Sequence, residues 1–248
     1  GDLPPAFLLT HPLSSSRISD AFNAAEGISE EGKKSDSLEF GLMKTRLEVY
    51  YEKIPANALR SFQAKVNDNP SDANIYGLAL AHEKNNNFDE SLSLLNNLIQ
   101  KYPKNLVINT TKVDVLLSND EFSRALILVD RFLEISPKNY PLSISKSKVL
   151  LAMERYFESE EIIRDQLLRR NDDPELWLLL SEIQRTSQNI IGYHQSRAEY
   201  FLLLGQDEQA LNQLEFALQL TQNNFQVSES IMNKIVEIKK DLSNSRGL

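Results

Sequence analysis

Apolar positions recur at three- and four-residue intervals along most of this chain, and the recurrence itself repeats. Ile75, Leu78, Ala79 and His82 fall at helical spacing, Asn85, Asn86 and Asn87 interrupt it, and Leu92, Leu95, Leu98 and Ile99 resume it on a second amphipathic stretch. Pro103 stops that second helix, and Pro137 stops its counterpart at an interval of 34. Phe88, Phe122 and Tyr156 open the second half of each phrase at the same interval of 34, and Ser91, Ala125 and Ser159 each follow by three. Small residues at Ala79 and Ser91 sit where paired helices cross and let the backbones approach. A helix, a tight turn and a second helix cannot bury their apolar faces alone, so the period predicts stacked pairs in an all-α helical solenoid.

The pattern extends in both directions. Leu38 to Glu52, with Leu42, Leu47, Val49 and Tyr50, and Ala56 to Asn67 behind Pro55 form an irregular first pair closed by Pro70. Pairs at 72–103, 106–137 and 140–171 follow, and Trp177 starts the next helix. After Thr186 the register shifts: Gly192 to Leu204 is one helix, Gly205, Gln206 and Asp207 turn, and Glu208 to Thr221 is the next. One segment therefore serves as the second helix of one pair and the first of another. Val227 to Ser243, with Ile231, Ile235, Ile238 and Leu242 on one side, is an amphipathic capping helix that ends an array at 38–244. Ahead of it, 28–37 reads as a polar linker, and 1–27 as a proline-containing extension with a short helix after Ser14 to Ser16.

This spacing resembles the tetratricopeptide repeat, whose pattern is W-x2-L-G-x2-Y, then A-x3-F-x2-A, then P. Trp177 and Leu180 match the opening with Ser181 in place of its glycine, Ala210 and Ala217 match the middle with Leu214 in place of its phenylalanine, and Pro70, Pro103 and Pro137 supply the close. In such an array the first helices line a concave face, which is expected to carry Tyr50, Tyr51, Tyr76 and Leu80, then Asp114, Leu117 and Lys148. Apolar with a few polar groups, that face suits a protein or an extended, partly unfolded polypeptide. The lysine, arginine and asparagine set of a carboxylate clamp is absent from the inward positions.

Charge and composition narrow the partners. A net charge of -8 and a pI near 5.1 argue against general binding to nucleic acid or anionic lipid. No apolar run approaches the length of a membrane span. The absence of cysteine removes disulfides, thiolate zinc sites and cysteine nucleophiles. His82-Glu83 starts a zinc-protease motif that fails, because Asn86 stands where the second histidine belongs. His82 occupies the repeat's packing-aromatic position, and His194 has no ligand set beside it. No glycine-rich phosphate loop or complete catalytic set is present, so no catalytic residue and no cofactor are expected within these residues.

A second resemblance lies at the N-terminus. Pro5-Ala6-Phe7-Leu8-Leu9-Thr10-His11-Pro12-Leu13, followed by Arg17-Ile18-Ser19-Asp20-Ala21, is similar to the end of the catalytic domain in HtpX-related zinc metalloproteases. It is closest in character to the BepA-like periplasmic members, which carry a tetratricopeptide array behind the protease. The resemblance implies that 1–27 is the tail of a metalloprotease domain and that this Gly-Asp chain is a fragment of that parent. It implies zinc in the full-length parent, held by an H-E-x-x-H helix and a glutamate that lie upstream of the Thr-His-Pro loop. His11 then either takes the open zinc position as a latent-state ligand or only shapes the loop. The implied role is periplasmic quality control of outer-membrane proteins, with the array engaging the β-barrel assembly machinery or stalled substrates, peripheral to the membrane at most. The rival reading is a stand-alone adaptor or scaffold without protease activity.

Overall fold

A computed structural model describes residues 37–221 and 224–246; the 1–27 extension and all of the linker except Ser37 lie outside them. Among the described residues the chain is all helix and turn, with no strand. The helices are α1 (Leu38–Tyr51), α2 (Pro55–Asp68), α3 (Asp72–Lys84), α4 (Phe88–Lys101), α5 (Leu106–Ser118) and α6 (Phe122–Ile135). They continue as α7 (Tyr140–Ala152), α8 (Tyr156–Leu167), α9 (Pro174–Thr186), α10 (Ile190–Leu203), α11 (Asp207–Leu220) and α12 (Phe225–Arg246). From α2 onward each helix packs on the next in sequence, and α3 with α5 and α5 with α7 also touch, which is the contact pattern of a helical-hairpin solenoid.

The repeat is written in the helix ends. Ser71, Asn105, Asn139 and Asp173, at intervals of 34, each accept a backbone N–H with the side chain and cap α3, α5, α7 and α9. The helices that follow them within a pair, α4, α6 and α8, start without a side-chain cap. Within each pair the helices are joined by a tight turn in which Asn86, Asp120, Glu154 and Gln188, again 34 apart, adopt positive φ near 60°. The N–H of Asn87, Glu121, Arg155 and Asn189 reaches back to the carbonyl of His82, Leu116, Leu150 and Gln184 respectively. That is the Schellman closure, built here without glycine.

Side chains at the crossings are small. Ala79 and Ser91, Val113 and Ala125, and Ser147 and Ser159 hold equivalent places and are all buried. Between α7 and α8 the two serines satisfy each other, with Ser147 Oγ 2.9 Å from Ser159 Oγ and Ser159 Oγ donating to the Ser147 carbonyl at 2.8 Å. Ser91 faces Ala79 in the first of these pairs, and its hydroxyl is buried without a partner. Gly77 has another duty: a Cβ there would overlap the buried Phe62 ring, so α2 can lie against α3 only with glycine at that position.

The expected shared helix is present. Gly205 turns with φ of 69° at half the usual interval after Gln188, and Gln206 N–H returns to the Phe201 carbonyl as in the earlier closures. α10 is thus joined to both α9 and α11 by closing turns. It is capped at its start by the Asn189 side chain, like the first helix of a pair, although it stands second behind α9. It buries two faces accordingly. Ser196 donates to Gln184 of α9 at 2.7 Å, and Gly192 fits beside the same glutamine. Ala198 joins Ala210, Leu214 and Ala217 of α11 and Ile231, Ile235 and Ile238 of α12 in one apolar cluster. α12 packs on α11 through the isoleucines that gave it its amphipathic pattern.

Serine chemistry at the crossings supplies a direct check on this packing. Ser91→Ala removes an unpaired buried hydroxyl and should stabilise the protein by about 1 kcal/mol, whereas Ser159→Ala removes both hydrogen bonds of a satisfied hydroxyl, leaving Ser147 only its bond to the Ser159 carbonyl, and should cost about 1 to 2 kcal/mol. Urea denaturation followed by circular dichroism reads both; equal effects of one sign would contradict the different hydrogen bonding of the two crossings.

Candidate functional site

Because the pairs repeat at a constant interval, one position on each first helix forms a row: Arg46 on α1, Leu80 on α3, Asp114 on α5, Lys148 on α7 and Glu182 on α9. The first three of these line a groove of about 680 Å³ together with Val49, Tyr50, Glu83, Lys84, Asn86, Phe88, Thr111 and Ser118. Its wall is apolar at Val49, Leu80 and Phe88. Tyr50 stands at the edge, 73% exposed, with Tyr51 stacked edge-on at 5.2 Å between ring centres.

Both cations of the groove are held by uncharged groups. Arg46 Nε donates to Tyr76 Oη at 3.0 Å and its terminal nitrogen to Thr111 Oγ1 at 2.6 Å, while the two hydroxyls lie 2.8 Å apart. Lys84 Nζ donates to the carbonyls of Val49 at 2.7 Å and Glu52 at 2.5 Å, at the end of α1 where helix carbonyls are unpaired and the dipole favours a cation. The carboxylates are left without an ion pair of normal contact geometry. Glu83 receives a long bond from the Ser118 hydroxyl at 3.4 Å. Burial, then the neighbouring Asp114 carboxylate, pushes Glu83 up to about 7, against the opposing pull of Ser118 and Arg46. Asp114 is raised too, by burial, although Arg46, Lys148 and the Ser145 hydroxyl favour its charge.

Of the residues expected to bind, the structure gathers Tyr50, Leu80 and Asp114 in this groove. Tyr51 adjoins it through Tyr50, and Lys148 acts on Asp114 from the next pair while remaining exposed. Leu117 is half-buried on α5 and does not line the groove. Tyr76 is corrected: it is fully buried, so it offers no contact surface, and its hydroxyl instead fixes Arg46 from behind. Arg46, Glu83, Lys84, Asn86, Phe88, Thr111 and Ser118 were not among the expected binding residues. Extending the row backward by one repeat from Leu80 would have reached Arg46.

The histidines of the array are occupied in packing and side-chain bonding. His82 is half-buried beside Asn87, and His194 Nδ1 lies 2.8 Å from Gln213 Oε1 with its ring against Tyr193 and Phe216. No group of three histidine, aspartate or glutamate side chains among the described residues is arranged to hold a metal ion. His11, the zinc ligand considered for a full-length parent, lies outside the described residues. A second cavity, of about 430 Å³, opens at the shared helix α10, where Glu199 pairs with Lys234 of α12 at 3.3 Å. Its lining is mostly charged and amide side chains, with the half-buried Trp177 as its aromatic member.

No family model matches the sequence, and no curated protein matches it. Solved structures do. A tetratricopeptide repeat protein from Parabacteroides merdae is 14% identical over 80% of this chain and 82% of its own, with a TM-score of 0.49. A thermophilic tetratricopeptide protein of Thermus thermophilus is 16% identical over 81% of this chain and 100% of its own, also at 0.49. MamA from Desulfovibrio magneticus is 10% identical, covering 68% and 96%, at 0.47. Likeness of this degree does not extend to function. The assignment to an all-α tetratricopeptide-type solenoid rests on the chain's own helix order, caps and turns.

The buried carboxylate gives a pH signature. Glu83 binds its proton more tightly in the folded chain than in the unfolded one, so its contribution to stability is greatest below pH 4.5 and is lost as pH rises through about 7. Glu83→Gln should therefore flatten the fall in the urea midpoint across that interval. An unchanged pH profile in the variant would show that Glu83 titrates normally.

Proposed function

We propose that this chain is a protein-binding module whose groove between α1, α3 and α5 takes an extended or partly unfolded polypeptide. The supporting observation is the make-up of the groove: apolar walls at Val49, Leu80 and Phe88, an exposed aromatic edge at Tyr50, and two carboxylates whose neighbouring cations are already bonded to neutral groups. Apolar contact supplies affinity with little sequence demand, and tyrosine gives large contact area at small entropic cost. The half-buried Glu83 and Asp114 favour a segment that brings an amine, a guanidinium or amide N–H groups.

The resemblance of residues 5–21 to the junction of HtpX-related metalloproteases supports a finer reading, in which the module serves a periplasmic zinc protease and presents outer-membrane proteins or the β-barrel assembly machinery to it. The metal belongs to the parent's catalytic domain. When bound there it would polarise a peptide carbonyl and activate water. What this chain supplies is the groove that captures the polypeptide and the His11 imidazole of the Thr-His-Pro loop.

A fluorescently labelled, permanently unfolded carboxymethylated polypeptide tests the groove by anisotropy titration. Tyr50→Glu should weaken its binding about tenfold while leaving helicity unchanged, and Glu161→Lys, on an exposed outer face, should have no effect. The reverse pattern would move the binding surface to the outer helices. For the parent, the reading frame upstream of residue 1 should encode H-E-x-x-H, and His11→Ala in that full-length protein should alter proteolysis or zinc coordination. A parent frame without the motif would remove the protease assignment and leave the groove intact.

A further inference from the structure

Repeated structure provides an internal comparison at Lys112. The equivalent residues in the other pairs are Lys44 on α1, Leu78, Lys146 and Leu180. Leu78 and Leu180 are buried, so the fold does not require a cation at this place. On α7, Lys146 forms an ion pair with Asp130 of the preceding helix at 2.7 Å. Lys112 makes the same contact at the same distance, but Asn96 stands where the aspartate belongs. The counterion is missing from an otherwise identical arrangement.

The surroundings add positive charge. Lys112, Arg124 and Arg131 rim a cleft of about 200 Å³ between α5 and α6 whose floor is Leu116, Ile127 and Leu128. Arg124 is paired with Glu121, whereas among the described residues no carboxylate bonds Lys112 or Arg131. Ile127 is 64% exposed, so the apolar floor is open to contact. The burial of Lys112 and the two arginines beside it pull its pKa below the usual lysine value, as expected of a cation held without its countercharge.

We propose that this cleft is a second binding site, separate from the groove, for an acidic polypeptide segment in which an apolar side chain is flanked by carboxylates. The apolar side chain enters between Leu116 and Leu128, and a carboxylate takes the place at Lys112 and Arg131 that Asp130 takes at Lys146 in the next pair. The chain's net charge of -8 disfavours long-range attraction of an anionic membrane or nucleic acid, so a local contact with an acidic segment fits better.

The experiment uses a fluorescein-labelled peptide, acetyl-Asp-Glu-Leu-Phe-Asp-Glu-amide, its Asn-Gln-Leu-Phe-Asn-Gln counterpart and phosphatidylglycerol vesicles, each titrated with the full chain. The acidic peptide should bind and the amide peptide should not. Asn96→Asp supplies the missing counterion from within and should weaken binding about tenfold, as should Lys112→Leu, which installs the residue found at this place on α3 and α9. Tyr50→Glu, in the groove, should leave this binding unchanged. Circular dichroism confirms that the variants stay folded, and Asn96→Asp, an exposed substitution, carries the test if Lys112→Leu does not. Equal binding of the two peptides, indifference to Asn96→Asp, no binding of the acidic peptide, or Lys112-dependent binding of vesicles instead of peptide would each overturn the proposal.

Discussion

A tight turn has to reverse the chain between two helices while leaving no buried carbonyl unpaired, and this requirement recurs from α3 to α11. The left-handed residue at its centre is what permits the backbone return to the preceding helix, and for an ordinary L-residue that conformation costs about 1 to 2 kcal/mol. Asn86 and Asp120 tolerate it through short polar side chains; Glu154 and Gln188 do not share that excuse. The turn persists because the helices on either side are pinned at their crossings by small buried residues, so the strain is distributed over contacts that no single substitution removes. The same turn recurs behind α3, α5, α7 and α9, whereas α1 is held to α3 and α5 by the bonds of Arg46 and Lys84.

The groove gains its chemistry from how its charges are partnered. Arg46 and Lys84 spend their hydrogen bonds on hydroxyls and helix-end carbonyls, and those bonds also tie α1 to the second and third pairs. The positive charge of Arg46 nevertheless remains within reach of Glu83 and Asp114, which keeps a half-buried acidic pair tolerable without neutralising it by contact. Binding surface and structural tie are therefore the same few side chains, and the buried Tyr76 belongs to the tie.

Much of this architecture is legible in the sequence because caps, turns and small crossing residues all obey one period. The shared helix could be read from Gly205, whose turn falls half a period early. Tyr76 could not be placed correctly, since a tyrosine on a first helix satisfies an exposed edge and a buried hydrogen-bonded core equally well. What decides is Arg46, which comes from a different helix and from a first pair that does not repeat the turn signature. Of the groove's carboxylates Asp114 was visible as a polar inward position, but the altered acidity of both depends on depth, and that of Glu83 also on its distance from Asp114, which periodicity does not encode.

The shift at α10 is a change of reading frame by half a repeat. Up to α9, corresponding residues on successive first helices stand in one line, Arg46, Leu80, Asp114, Lys148 and Glu182 in order. Beyond it the next corresponding residue, Glu199, is already engaged by Lys234 of the terminal helix. The frame change is punctuation: it ends the line of corresponding first-helix residues, so the length of that line is decided by one premature turn and not by the number of helices.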